Sequence, residues 1–293
     1  MEKAPQTTLE LGGATFGLRF DTYCDVERTD PRYRDFVSEK NPEILIRCRY
    51  DGIPDPLPSE TDLLFDSQSI WKVYARGDDQ MFVLRLPGTF HPYRTALVDS
   101  RFARATIHTA VSYYRGRDFG RVPFPLELPL GPLILMTALA RGRGIIAHAA
   151  GIDHHGKGYL FVGHSGHGKS TMARLWKDHA RVLNDDRIAV RTDDSVFRIY
   201  GLPWFGELPA TSPKGVALEK IFFLRKATEN RSHALSSGAA SIMLLKAILM
   251  PLWDKAATSF ILDFVANLVD HISCYALDFV PDHDIVDYVR WIK

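Results

Sequence analysis

The sequence predicts an α/β phosphate-loop (P-loop) domain preceded by a β-rich N-terminal domain, and three observations carry this. The stretch FVGHSGHGKSTMARL, Phe161 to Leu175, holds Gly-x-x-x-x-Gly-Lys-Ser between an apolar run and residues of helical spacing. From Thr7 to about Ser112, β-branched and aromatic residues alternate in part, which is the pattern of strands. A proline-bearing segment, Gly120 to Pro132, separates the two regions. The expected division is 1–125 for the β-rich domain and 126–293 for the nucleotide-binding and catalytic domain.

In chain order, TLELGGATFGLRF, EILIRCRY, IWKVYARGDDQMFVLRL and RTALVDSRFARATIHTAV read as strands of a mostly antiparallel region, with the Gly-Asp turn at RGDDQ, Arg76 to Gln80, closing a hairpin. An exposed edge of such a sheet is a place where an extended peptide adds as a strand. GRVPFPLELPLGP reads as a linker and LILMTALAR, Leu133 to Arg141, as a short buried helix. GIIAHAAGIDHHGKGYLFVG then gives two strands joined by a turn at Asp153 to Gly158, and Lys169 to His179 a helix. Strands follow at RVLNDDRIAVRT, VFRIYG and LEKIFFL, helices around Ala239 to Leu249 and Ala256 to His271, a last strand at CYALDFVP and a closing helix at DHDIVDYVRWIK.

Composition narrows the partners. Among 293 residues, 36 Lys and Arg face 35 Asp and Glu, so a net charge of +1 supplies no general attraction to nucleic acid or acidic lipid. Cys24, Cys48 and Cys274 are few and far apart, which fits neither a disulfide framework nor a zinc knuckle. The N-terminus has no charged stretch leading into an apolar core, and the most apolar run is far shorter than a membrane span. A soluble cytoplasmic protein without membrane or nucleic-acid partners is expected; a homo-oligomer is left open.

The glycine-rich stretch Gly163 to Thr171 is the expected nucleotide cradle. Gly163, Gly166 and Gly168 let backbone amides turn toward phosphate oxygens, Lys169 reaches the outer phosphates and the Ser170 hydroxyl is placed for Mg²⁺. His164, Ser165 and His167 fill the loop, and Thr171 follows it. Downstream, RVLNDDRIAV sets Asp185 and Asp186 after a short apolar stretch, where one carboxylate can meet Mg²⁺ and the other serve an acceptor hydroxyl as general base. A turn capped by two acids is the plain structural alternative. His154 and His155 read as turn residues.

The run GHSGHGKST…RVLNDDRIAV, preceded by IIAHAAGI and followed by LEKIFFL, resembles the HPr kinase family, whose nucleotide site is similar to that of phosphoenolpyruvate carboxykinases. The likeness covers about Gly144 to Leu224. It implies an HPr kinase / phosphoenolpyruvate carboxykinase-like domain, ATP and Mg²⁺, transfer to a serine of a peptide or small protein, and an active-site histidine at His148, for which a packed strand histidine is the plain alternative. The Glu-x-Arg-Gly-x-Gly signature of members that also remove the phosphate is absent. In its place GLPWFGE resembles the Pro-Trp-x-Gly segment of related kinases that tailor peptides, with Glu207 a candidate metal carboxylate and a structural turn the alternative. The implied catalytic set is Lys169, Asp185, Asp186 and His148, and the implied metal set is Ser170, Asp186 and Glu207. A small-molecule kinase and a non-catalytic ATP-responsive module stay open beside the peptide kinase.

Overall fold

Period-two alternation sets Phe16, Leu18 and Phe20 on one face of β2 (Ala14–Phe20), and Ile44, Ile46 and Cys48 on the matching face of β3 (Ile44–Arg49); all six are buried. A computed structural model describes residues 5–21, 30–88, 91–111, 124–164 and 166–292. Around these two strands stand β1 (Thr7–Leu11), β4 (Leu63–Asp66), β5 (Trp71–Arg76), β6 (Asp79–Arg85), β7 (Pro92–Val98) and β8 (Arg104–Thr109). They form one eight-stranded sheet in the order β1-β2-β3-β8-β7-β6-β5-β4. The β5–β6 hairpin turns where RGDDQ places it, with Gly77 at φ +64°.

Two features depart from the expected antiparallel region. Strand β3 runs parallel to both β2 and β8, because the chain returns to it through long connections instead of hairpins. The edge at β1 is already bridged: Leu9 pairs with Val37, and the Ser38 N–H donates to the Thr8 carbonyl at 2.9 Å. An incoming strand meets an occupied edge there.

The linker reading holds less well than the helix after it. Phe124 is buried with its ring centroid 4.2 Å from that of Tyr33, and the Tyr33 hydroxyl donates to the Leu126 carbonyl at 2.6 Å. Residues 124–126 are therefore packed core rather than solvated connection, since Phe124 and Leu126 are apolar; residues 112–123 lie outside the described ones. The helix α1 (Leu130–Leu139) is buried along its length. The changeover between compact units falls at Ala138/Leu139, not at 125/126. The first unit also takes in Leu252–Lys255, whose Trp253 packs among Phe65, Trp71 and Phe82 and donates its indole N–H to Gln80 Oε1 at 2.9 Å.

The second unit contains β9 (Gly144–His154), β10 (Lys157–Val162), β11 (Arg181–Asn184), β12 (Arg187–Asp193), β13 (Val196–Gly201), β14 (Val216–Lys226), β15 (Arg231–Ala234) and β16 (Ser273–Phe279). The helices are α2 (Lys169–Trp176), α3 (Ser237–Leu245), α4 (Lys255–His271) and α5 (Asp284–Trp291). The first two strands form the expected hairpin, with His155 and Gly156 at φ +53° and +83° in its turn. Strands β10, β14 and β16 run parallel side by side, while β10-β9-β12-β13-β14 pair in a closed circuit.

Alternation along the parallel strands divides the core. Tyr159, Phe161, Phe222 and Leu224 pack with Met172 and Trp176 of α2 and with Ile285 and Val289 of α5. Leu160, Val162, Ile221 and Phe223 pack instead with Leu244 of α3 and with Ile261, Val265 and Leu268 of α4. Helices thus cover both faces of the parallel strands, as such strands require. No helix among the described residues is long and apolar enough to cross a membrane. Cys48 and Cys274 are buried thiols, and burial pushes Cys274 up to about 12; Cys24 lies outside the described residues.

Candidate functional site

Strand β10 ends at Val162 and α2 begins at Lys169, with Gly168 as its N-cap in the left-handed region at φ +99°. Only glycine fits there. A side-chain carbon at 168 would lie 2.5 Å from the Phe279 ring, whereas one at Gly166, φ +82°, would meet nothing within 4 Å. Both changes to alanine carry the left-handed strain of about 1–2 kcal/mol, but Gly168→Ala adds a clash with packed aromatic core. Gly168→Ala is therefore expected to lower the thermal unfolding midpoint well below that of Gly166→Ala. Equal midpoints would contradict this account of the loop.

Beyond Gly168 the Lys169 ammonium donates to the Gly163 carbonyl at 2.9 Å and to the His164 carbonyl at 3.2 Å. Burial lowers its pKa, and the negative charges of Asp186 and Asp185 offset part of that shift. Lys169, Ser170, Thr171 and Gly166 line an open cleft of about 230 Å³, faced by His148, Asp186, Glu207 and Lys226. Gly163, His164 and His167 line a different recess with Met243 and Lys246, and His167 Nδ1 is 3.3 Å from the Leu224 carbonyl. Ser165 lies outside the described residues.

The two adjacent acids have different surroundings. Asp185 is fully buried, and its carboxylate accepts the backbone N–H groups of Gly206 (2.8 Å), Glu207 (2.9 Å) and Leu208 (3.0 Å). That makes it the anchor of the GLPWFGE loop, and it is not among the residues lining the cleft. Glycine at 206 suits the close approach, since a side-chain carbon there would stand 3.1 Å from Asp185 Oδ2 and 3.2 Å from Asp186 Cβ, and these neighbours would have to give by a few tenths of an ångström. Trp204 is fully buried beneath this loop and Phe205 half-buried, so the segment is a structural turn that also delivers Glu207 to the cleft.

Asp186 faces the other way. His148 Nε2 lies 2.8 Å from its Oδ1 and Arg187 Nη1 2.6 Å from its Oδ2. Burial alone would raise its pKa; the His148 hydrogen bond and the charges of Arg187 and Lys169 outweigh that and hold it below the usual carboxylate range. His148 and Arg187 are register partners on β9 and β12, which is why both reach the same carboxylate. Glu207 is exposed and ion-paired with Arg174 of α2.

Four contributors escaped the sequence reading. Asn184 is buried, donates to the Leu202 (2.7 Å) and Trp204 (3.2 Å) carbonyls, and accepts from the Asp186 and Arg187 N–H groups at 2.7 and 2.9 Å. It fixes the turn that points Asp185 and Asp186 apart, and an Asn directly ahead of two acids was a signal for such a turn. Arg174 and Arg187 carried no distinctive pattern. Lys226 reaches the cleft because β14 runs parallel to β10, so its end emerges beside the glycine-rich loop.

The family model described as SynChlorMet cassette protein ScmC matches residues 130–278, from α1 into β16. A comparison with curated proteins finds no match.

Proposed function

The chain belongs to the SynChlorMet cassette protein ScmC family, and from the residues that meet in its cleft we propose that it is a cytoplasmic ATP-dependent kinase of the HPr kinase-like type. Its acceptor is a hydroxyl, with a serine of a peptide or small protein as the favoured class. The observation that supports this most is the convergence of Lys169, Ser170, Asp186, His148 and Glu207 on the one cleft beside the glycine-rich loop. A buried lysine, a hydroxyl at a helix N-terminus and an ionised acid across from them suit a triphosphate and a hydroxyl acceptor.

The donor set fits Mg²⁺, which is held by one or two carboxylates together with substrate phosphates. Ser170 and Glu207 would hold it once Glu207 leaves Arg174, and when bound it offsets charge on the phosphates. In the reaction the acceptor oxygen forms a bond to the γ-phosphorus as the bond to the β–γ bridging oxygen breaks, and ADP departs. The acceptor proton passes to Asp186. A carboxylate held below its usual range is a weak base, but a loose phosphoryl transition state asks chiefly for an oriented hydroxyl. His148 and Arg187 fix that carboxylate as positioning residues. Lys169, drawn from its loop carbonyls to the phosphates, stabilises charge on the transferring group.

The test is incubation of the full chain with γ-labelled MgATP and serine-containing peptides encoded in the same cassette. Acceptor-dependent ADP release with an equal amount of label in peptide serine is expected. Label in a small metabolite alone, or tight ATP binding with no transfer to any peptide, would overturn the reading.

A further inference from the structure

Lys226 is the last residue of β14, and because β14 runs parallel to β10 it emerges at the same end of the sheet as the glycine-rich loop. It is exposed and lines the cleft together with Lys169, Ser170 and Thr171. A side-chain carbon at Gly168 would lie 3.6 Å from Lys226 Cε, so the end of this lysine passes over the start of α2. Both carboxylates that line the cleft are matched by arginines: Asp186 by Arg187, and Glu207 by Arg174. The two lysines therefore leave the cleft with surplus positive charge, which suits an anion of more than one charge.

We propose that Lys226 holds the diphosphate that departs as ADP, meeting the α- and β-phosphates, while Lys169 serves the transferring γ-phosphate. The order of the strands gives this direction. In the run β12-β9-β10-β14, His148 and Asp186 belong to the β9 and β12 side of the glycine-rich loop and Lys226 to the β14 side. Strands lie about 4.8 Å apart, so His148 and Lys226 start roughly 10 Å from one another across the sheet. The γ-phosphate must lie beside Asp186, which takes the acceptor proton, and the rest of the phosphate chain then crosses the start of α2 toward Lys226. An ammonium fixed there meets charge that grows on the leaving diphosphate as the bridging bond breaks. The assignment rests on the nucleotide reading of this cleft and adds to it the orientation of the phosphate chain.

The experiment is calorimetric titration of the full chain with MgATP and with MgADP, on the wild type, Lys226→Gln and Lys226→Arg. Lys226→Gln should weaken both nucleotides to the same extent, about tenfold or more, with the unfolding midpoint kept because the side chain is exposed. Lys226→Arg, which keeps the charge, should recover most of that loss. Unchanged MgADP affinity in Lys226→Gln would overturn the proposal. A loss confined to MgATP would move this lysine to the γ-phosphate and overturn it too. A wild-type chain that binds MgADP through Lys226 but transfers phosphate to no peptide would strike the kinase reading and leave this one standing.

Discussion

Asp186→Asn is expected to reduce phosphoryl transfer by about 10²–10⁴-fold while the chain keeps most of its affinity for MgATP. The amide retains the shape and one acceptor oxygen, but it cannot take the acceptor proton or hold a negative charge toward the hydroxyl. Asp185→Asn should do something different. Its carboxylate takes one N–H on Oδ1 and two on Oδ2, so an amide must set its own donors against at least one backbone donor. Hydrogen bonds to a charged group contribute about 1.5–3 kcal/mol, and the loss should appear as a lowered unfolding midpoint. Thermal melts and turnover of both variants decide the matter. Should Asp185→Asn keep its stability and lose turnover while Asp186→Asn does the reverse, the two roles are assigned the wrong way round.

Lys169→Ala should abolish measurable transfer and weaken MgATP binding by about 10- to 100-fold, the equivalent of one lost charge-assisted hydrogen bond. The ammonium already makes two bonds to loop carbonyls at 2.9 and 3.2 Å, and these hold it beside the cleft while burial lowers its pKa. A phosphate arriving in the cleft offers a stronger partner than either carbonyl. Acceptor-dependent ADP release is the readout. Turnover in Lys169→Ala near that of the parent would remove the glycine-rich loop from the reaction.

The strand, loop and helix around Lys169 were legible because each part has a local cause. An apolar run of strand length, glycines where the backbone turns and helical spacing afterwards need no distant partner. The same holds for the turns at Gly77 and Gly156, whose positive φ values call for such residues. Pairing direction was not legible, because alternation reports which face of β3 is buried and not which way its neighbours run. Strand β15 was missed since its residues are mostly exposed and it has no apolar alternation. Trp253 shows the same limit at larger scale: its apolar character was plain, but its place with the first unit is set by Phe65, Trp71 and Phe82, far away in sequence.

Within the site, the sequence placed two acids after the helix that follows the glycine-rich loop and could not separate them. Their separation depends on Asn184, which holds both the turn and the Leu202–Trp204 backbone, and on Gly206, whose missing side chain lets the next loop close over Asp185. The division of labour expected of Asp185 and Asp186 falls in the proposed reaction on Asp186 and Glu207, the two carboxylates that line the cleft.

Hydrogen–deuterium exchange of the full chain, with and without MgATP, tests the central claim most directly because it locates the nucleotide without an acceptor. Backbone amides of 163–170 should exchange more slowly with MgATP present, and those of 206–208 should follow if Glu207 joins the metal. Protection confined to other segments, or exchange in 163–170 unchanged at saturating MgATP, would contradict the claim that this cleft holds the phosphates.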